Sequence, residues 1–188
     1  MPATLRLVSS SSQRDALDKV ASIIRKGSID PRIVAAARAI TRDCAPRDDE
    51  CELRAIYEAV KYGTDAVAWL HRGMRYVADP HSFDTFSTVN AIVNDCAAGS
   101  CAGDCDDATI LVGSLAAAIG FRVGARAWGR GKNQAGDYQH VYAVAAIPKS
   151  GPWPRDYYGT ALDTTVDRFD VGDEPDGGHI LTAWLDGE

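Results

Sequence analysis

Apolar residues recur at helical spacing through the first part of the chain. Leu17, Val20, Ala21 and Ile24 fall three or four apart, which places them on one face of a helix that Gly27 closes. Asp30 is suited to cap a second helix, with Pro31 at its first position and Ile33, Ala37 and Ile40 continuing the period. A polar stretch over 44–49 interrupts the pattern. Leu53, Ile56, Tyr57 and Val60 predict a third helix ending at Gly63. Val67, Leu70, Met74 and Val77 predict a fourth, stopped by Asp79-Pro80.

The middle of the chain predicts a short helix over 88–94 and a loop over 96–103. A strong helix follows over 104–119, with Ala108, Leu111, Val112, Leu115 and Ile119 on one face and Gly120 as its stop. The period then changes. Phe121, Val123, Ala125 and Ala127 alternate with Arg122, Gly124 and Arg126, the pattern of a half-buried strand. A turn-rich loop over 129–136 leads to a second strand over 138–147, and a third is predicted over 157–166. From Asp167 the chain is rich in Asp and Gly, with a short apolar end over 180–185. Helices come first and strands second, so the class is α+β. There is no internal repeat and no second core. The predicted organisation is a flexible segment over 1–12, ending in the run Ser9–Ser12, and a single domain over 13–188 whose last part, 167–188, is an acidic tail.

Composition narrows the function classes. The 188 residues are 46% hydrophobic and 24% charged, which suits one soluble domain. The net charge of −6 and the lack of a basic stripe argue against a nucleic-acid partner. No apolar run approaches the ~18–20 residues of a spanning helix, so no membrane partner is expected. The first twelve residues lack the apolar core of a secretory signal, which predicts a cytoplasmic place of synthesis. Five cysteines are an odd number and a poor disulfide framework, so reduced thiols are expected, at least one of them reactive. Spacing leaves a Cys44–Cys51 bridge open.

The chemistry centres on Gly103-Asp104-Cys105-Asp106-Asp107, where a loop becomes a helix. A thiolate is the nucleophilic form of cysteine, and the N–H groups of a helix start favour negative charge there. Asp104 is a natural N-cap, yet Asp104, Asp106 and Asp107 all oppose a nearby thiolate. Cys105 therefore needs a cationic partner. His140, on the second predicted strand, is the candidate base, and Asp163, on the third, is the candidate acceptor that orients it. Each has a blander reading: cysteine is commonly a small buried hydrophobe, and aspartate commonly caps turns. Cys96, Cys101 and Cys105 with His140 invite a zinc reading, but their spacing is not that of paired Cys-x-x-Cys knuckles, so no metal and no cofactor is expected. Trp128 and Tyr138 border the 129–136 loop and are candidate substrate contacts.

Three blocks resemble the transglutaminase-like superfamily of cysteine peptidases, transglutaminases and related acyl-transfer proteins. They are Gly103-Asp104-Cys105-Asp106-Asp107 with the apolar helix and Gly120-Phe121-Arg122-Val123 after it, His140-Val141-Tyr142, and Leu162-Asp163-Thr164-Thr165. Gly73-Met74-Arg75-Tyr76-Val77 resembles the helix end that precedes that family's nucleophile loop. The similarity runs over about 53–166. It implies a papain-like α+β fold in which the nucleophile helix packs on an antiparallel sheet carrying the His and Asp. It implies a Cys105-His140-Asp163 triad acting on the amide bonds of a protein or peptide, by hydrolysis or by transfer to an amine. Phage and bacterial proteins with this fold supply the alternative, a non-enzymatic structural module with an assembly partner, virion-associated if of phage origin.

Overall fold

The computed structural model describes residues 5–6, 13–78, 85–130, 138–154 and 157–187. Their elements follow the predicted order of helices before strands, and the class is α+β. The helices are α1 (Gln13–Gly27), α2 (Pro31–Thr41), α3 (Asp49–Tyr62), α4 (Val89–Ala97) and α5 (Cys105–Ala118). Side-chain caps start four of them. Asp30 accepts from the Arg32 N–H, Asp48 from Cys51, Thr88 from Ala91, and Asp104 from both Asp106 and Asp107.

Helix α5 is the centre of the fold. One apolar face was expected, but nine consecutive residues from Ala108 to Ala116 are buried. A helix that is apolar all round has to be enclosed. The other four helices pack against α5, as do two strands, β5 (Val123–Gly129) and β6 (Tyr138–Ala145). Leu111 and Leu115 are fully excluded from water. Each contributes about 1.5–3 kcal/mol through that burial.

The strands outside the main sheet are short. β1 (Leu5–Arg6) pairs antiparallel with β3 (Thr85–Phe86). β2 (Arg75–Tyr76) pairs parallel with β4 (Ala102–Gly103). The main sheet is antiparallel, in the order β7-β6-β5-β8, with β7 at Thr160–Leu162 and β8 at His179–Trp184.

Three expectations are corrected. The fourth helix over Val67–Val77 does not form: a single 3-10 turn at Ala68–Leu70 gives way to extended β2. Gly73 ends the turn at φ 69°, and a Cβ there would lie 2.8 Å from the Lys61 carbonyl oxygen. The cysteines are not all reduced. Cys44 is bonded to Cys51 and Cys96 to Cys101, leaving Cys105 as the free thiol. The reverse turns before α3 and after α4 bring each pair together. The short apolar end over 180–185 lies largely within β8, which pairs with β5 from Gly124 to Gly129. Finally, β5 is buried on both faces rather than one. The Arg126 side chain lies in this second buried face, where its guanidinium donates to Glu174 at 2.6 Å, to Thr182 Oγ1 at 2.9 Å and to the Tyr158 carbonyl. It also sits over the Tyr158 ring. The 129–136 loop falls almost wholly outside the described residues, as do most of residues 1–12. Among the described residues, no helix is long and apolar enough to cross a membrane.

Arg126 is almost wholly excluded from water, so its charge depends on its partner. Glu174→Ala should lower unfolding stability by about 3 kcal/mol, read from urea denaturation, because it leaves an uncompensated buried cation. Replacement of an exposed carboxylate such as Glu58 should stay within about 0.5 kcal/mol.

Candidate active site

Cys105 is the first residue of α5, and the backbone before it is held tightly. Arg75 N–H donates to the Cys101 carbonyl at 3.0 Å, and Val77 N–H to that of Gly103 at 2.8 Å. Gly103 is needed for this close approach. A Cβ there would lie 2.4 Å from Met74 Cε and 2.5 Å from Asp107 Cβ. On the other side, the Thr109 hydroxyl lies 2.6 Å from the Cys105 carbonyl oxygen and 3.1 Å from that of Val141. One donor thus ties the first turn of α5 to strand β6.

His140 sits near the start of β6, opposite Trp128 of β5, and the register slips there so that Gln139 is the extra residue. Bulges of this kind re-aim side chains. Asp163 follows the last residue of β7. Its Oδ2 lies 2.6 Å from His140 Nε2, while Oδ1 accepts from the Thr165 backbone N–H at 3.1 Å and from the Thr165 hydroxyl at 2.7 Å. Both carboxylate oxygens are therefore used, and the side chain has no exposed surface. Burial alone would raise the Asp163 pKa. The hydrogen bond and charge of His140, with the two bonds from Thr165, outweigh it and hold the carboxyl below its ordinary range. Behind it, the Tyr57 hydroxyl lies 3.1 Å from the Asp163 carbonyl oxygen and 2.7 Å from that of Phe169, and Lys61 donates to the same hydroxyl at 3.0 Å. Helix α3 thereby anchors the turn that carries the carboxylate.

Cys105 and His140 line one cavity of about 200 Å³. Its apolar wall includes Leu17 and Val20 of α1, Phe86, Ala127 and Val141. Among the described residues no hydrogen bond joins Cys105 to His140. The thiol instead lies 3.7 Å from Asp106 Oδ1. Burial pushes the Cys105 thiol strongly up, and the charges of Asp106 and Asp104 push it further; the Val141 N–H opposes them without reversing the sign. The helix-start effect, about 0.3–1 kcal/mol per charge, is overridden.

Of the two candidate substrate contacts, Tyr138 lines this cavity. Trp128 does not, and its indole N–H is donated to the Gly177 carbonyl at 2.7 Å. The zinc set is not assembled, since Cys96 and Cys101 are bonded to each other. Two contributors were missed in the sequence. Thr165 was legible in the Asp-x-Thr pattern of a local side-chain turn. The α1 wall left no local signal, since Leu17 and Val20 read as ordinary core residues.

No family model and no curated protein matches the chain. The fold is α+β, and it is similar to a crystal structure from Parabacteroides distasonis ATCC 8503 described as a "putative protease". That likeness has a TM-score of 0.57 at 14% identity and covers 95% of this chain but 30% of the other, so the chain spans about a third of that neighbour's length. At this identity the likeness is one of fold.

Two outcomes are expected. Asp106→Asn removes the carboxylate beside the thiol, so the pH midpoint of Cys105 alkylation should move down, read by mass spectrometry of the one free thiol. Asp163 has a depressed folded pKa, so its contribution to stability is present above its unfolded value, about 3.9, and is lost as pH falls through the folded value. Asp163→Asn should flatten that acid limb in urea unfolding measured from about pH 5 to pH 2.

Proposed function

We propose that the protein is a cysteine-dependent acyl-transfer enzyme of the transglutaminase-like superfamily, acting on amide bonds in a protein or peptide. The observation that carries this reading is the convergence of Cys105 and His140 on one cavity, with His140 bound through Nε2 to a buried carboxylate. That bond leaves Nδ1 as the nitrogen that serves the thiol, and it favours the protonated ring once a proton arrives. Because burial and two carboxylates disfavour an isolated thiolate, the proton goes to His140 as sulfur attacks. A C–S bond forms, and the carbonyl π electrons move to oxygen, where the Cys105 N–H is a donor. When the tetrahedral species collapses, the C–N bond breaks and the leaving amine takes the proton from His140. Water gives hydrolysis of the acyl-enzyme, and a second amine gives transamidation. On this reading Tyr138, which lines the same cavity, contacts the substrate. The description of the structural neighbour as a "putative protease" supports the hydrolytic branch.

A non-enzymatic structural or assembly module is the reading favoured by one observation, the contact of the thiol with Asp106 rather than His140. As to the place of action, two disulfides fit an oxidising compartment better than the cytoplasm expected from the sequence.

The test is an amide-substrate screen with and without added primary amine, paired with iodoacetamide labelling across pH. The enzyme reading expects Cys105→Ala to abolish turnover and His140→Ala to lower kcat/KM by about 10²–10⁴-fold with the fold intact. It also expects selective labelling of Cys105 below pH ~7 that His140→Ala removes. A labelling profile unchanged by His140→Ala, with no turnover on any amide, would favour the module.

A further inference from the structure

A second cavity, of about 440 Å³, is walled by residues from 69–75 and 96–102 and shares no lining residue with the cavity at Cys105. His71, Arg72 and Arg75 line it, together with Trp69 and Ser100, and no Asp or Glu does. In a chain of net charge −6, a cavity of this sign runs against the overall balance. The two arginines of β5 and its lead-in are satisfied differently. Arg122 and Arg126 are held by Asp186 and Glu174. Among the described residues, neither Arg72 nor Arg75 makes an ion pair or a side-chain hydrogen bond. Each guanidinium therefore has its full set of N–H donors to offer.

These arginines are not occupied in capping α4. The last carbonyls of that helix already accept backbone N–H groups: Asn94 from Ala98, Asp95 from Ser100, and Cys96 from Gly99. The walls are also built before any ligand arrives. Met74 N–H donates to the Val60 carbonyl at 2.7 Å and Arg75 N–H to that of Cys101 at 3.0 Å. The Cys96–Cys101 disulfide closes the opposite side, and the Gly73 turn locks the chain against α3. The His71 ring is oriented through Nδ1, 3.1 Å from the Ala68 carbonyl oxygen. Half-buried Trp69 adds an aromatic face. Such a framework spares a ligand the cost of ordering its site.

The geometry points to a binding site for a small, multiply charged anion. Its carboxylate or phosphate oxygens take the guanidinium groups of Arg72 and Arg75, and Trp69 covers its uncharged part. Two guanidinium groups in one cavity suit a ligand with at least two anionic groups. The site is independent of the chemistry assigned to Cys105.

The experiment uses the full chain and two probes, citrate for carboxylates and pyrophosphate for phosphates. Each is titrated calorimetrically and followed through the indole N–H resonances of the four tryptophans. At least one probe should bind, move the Trp69 resonance, and leave those of Trp128, Trp153 and Trp184 in place. Citrate alone would identify a carboxylate ligand and pyrophosphate alone a phosphate ligand; binding of both would support the shared oxyanion site. Arg72→Gln with Arg75→Gln should weaken binding at least about tenfold, and raising salt from about 20 to 300 mM should weaken it in the wild type. Both arginines are exposed, and an unchanged melting temperature will verify the fold. Neither probe binding at about 10 mM, a shift confined to other tryptophans, or equal binding by the double variant would overturn the proposal.

Discussion

Helix α5 cannot turn any face to water over its buried middle, and that constraint organises the rest of the molecule. Four helices and two strands close round it, so it can neither rotate nor slide without exposing leucine, isoleucine or valine. Its first residue inherits this rigidity. Cys105 is located by core packing behind it, by the β2–β4 ladder before it, and by Thr109 beside it. A side chain placed on a rigid element needs little further positioning.

Position and activation are set by different parts. Packing locates the thiol, but burial and two carboxylates keep its proton on. The partner that could remove it is built on another element, the sheet, with its own anchor through Asp163, Thr165 and Tyr57. In the proposed enzyme, reactivity depends on the relative placement of α5 and β6. The contacts of Val141 and Thr109 with Cys105 lie on that boundary.

The strongest periodicities were legible because they come from burial on regular elements. Helices α1, α2, α3 and α5, strands β5 and β6, and the three candidate residues at 105, 140 and 163 all read directly from spacing and local chemistry. Failures arose where tertiary pairing overrode local pattern. Val67, Leu70, Met74 and Val77 have helical spacing, yet Gly73 and the pairing with Ala102–Gly103 draw the segment out. Arg122 and Arg126 mark a wet face in the alternation, but Tyr158 just before β7 and Glu174 after it cover Arg126. An odd cysteine count suggested free thiols, whereas it reflects two bridges and one remainder. In each case the deciding partner lies too far along the chain, or depends too much on the local turn, for periodicity to show it.

The strand order β7-β6-β5-β8 gives the chain a timetable. β5 can pair with β6 as soon as the intervening loop is made, but its other edge stays open until residues 179–184 exist. Until then Arg126 lacks Thr182, and α1 lacks the β8 residues against which it packs. Since α1 supplies part of the cavity wall at Cys105, a chain emerging from the ribosome carries its thiol for some eighty residues before that wall has its final support. Completion of the site thus waits on residues 179–184.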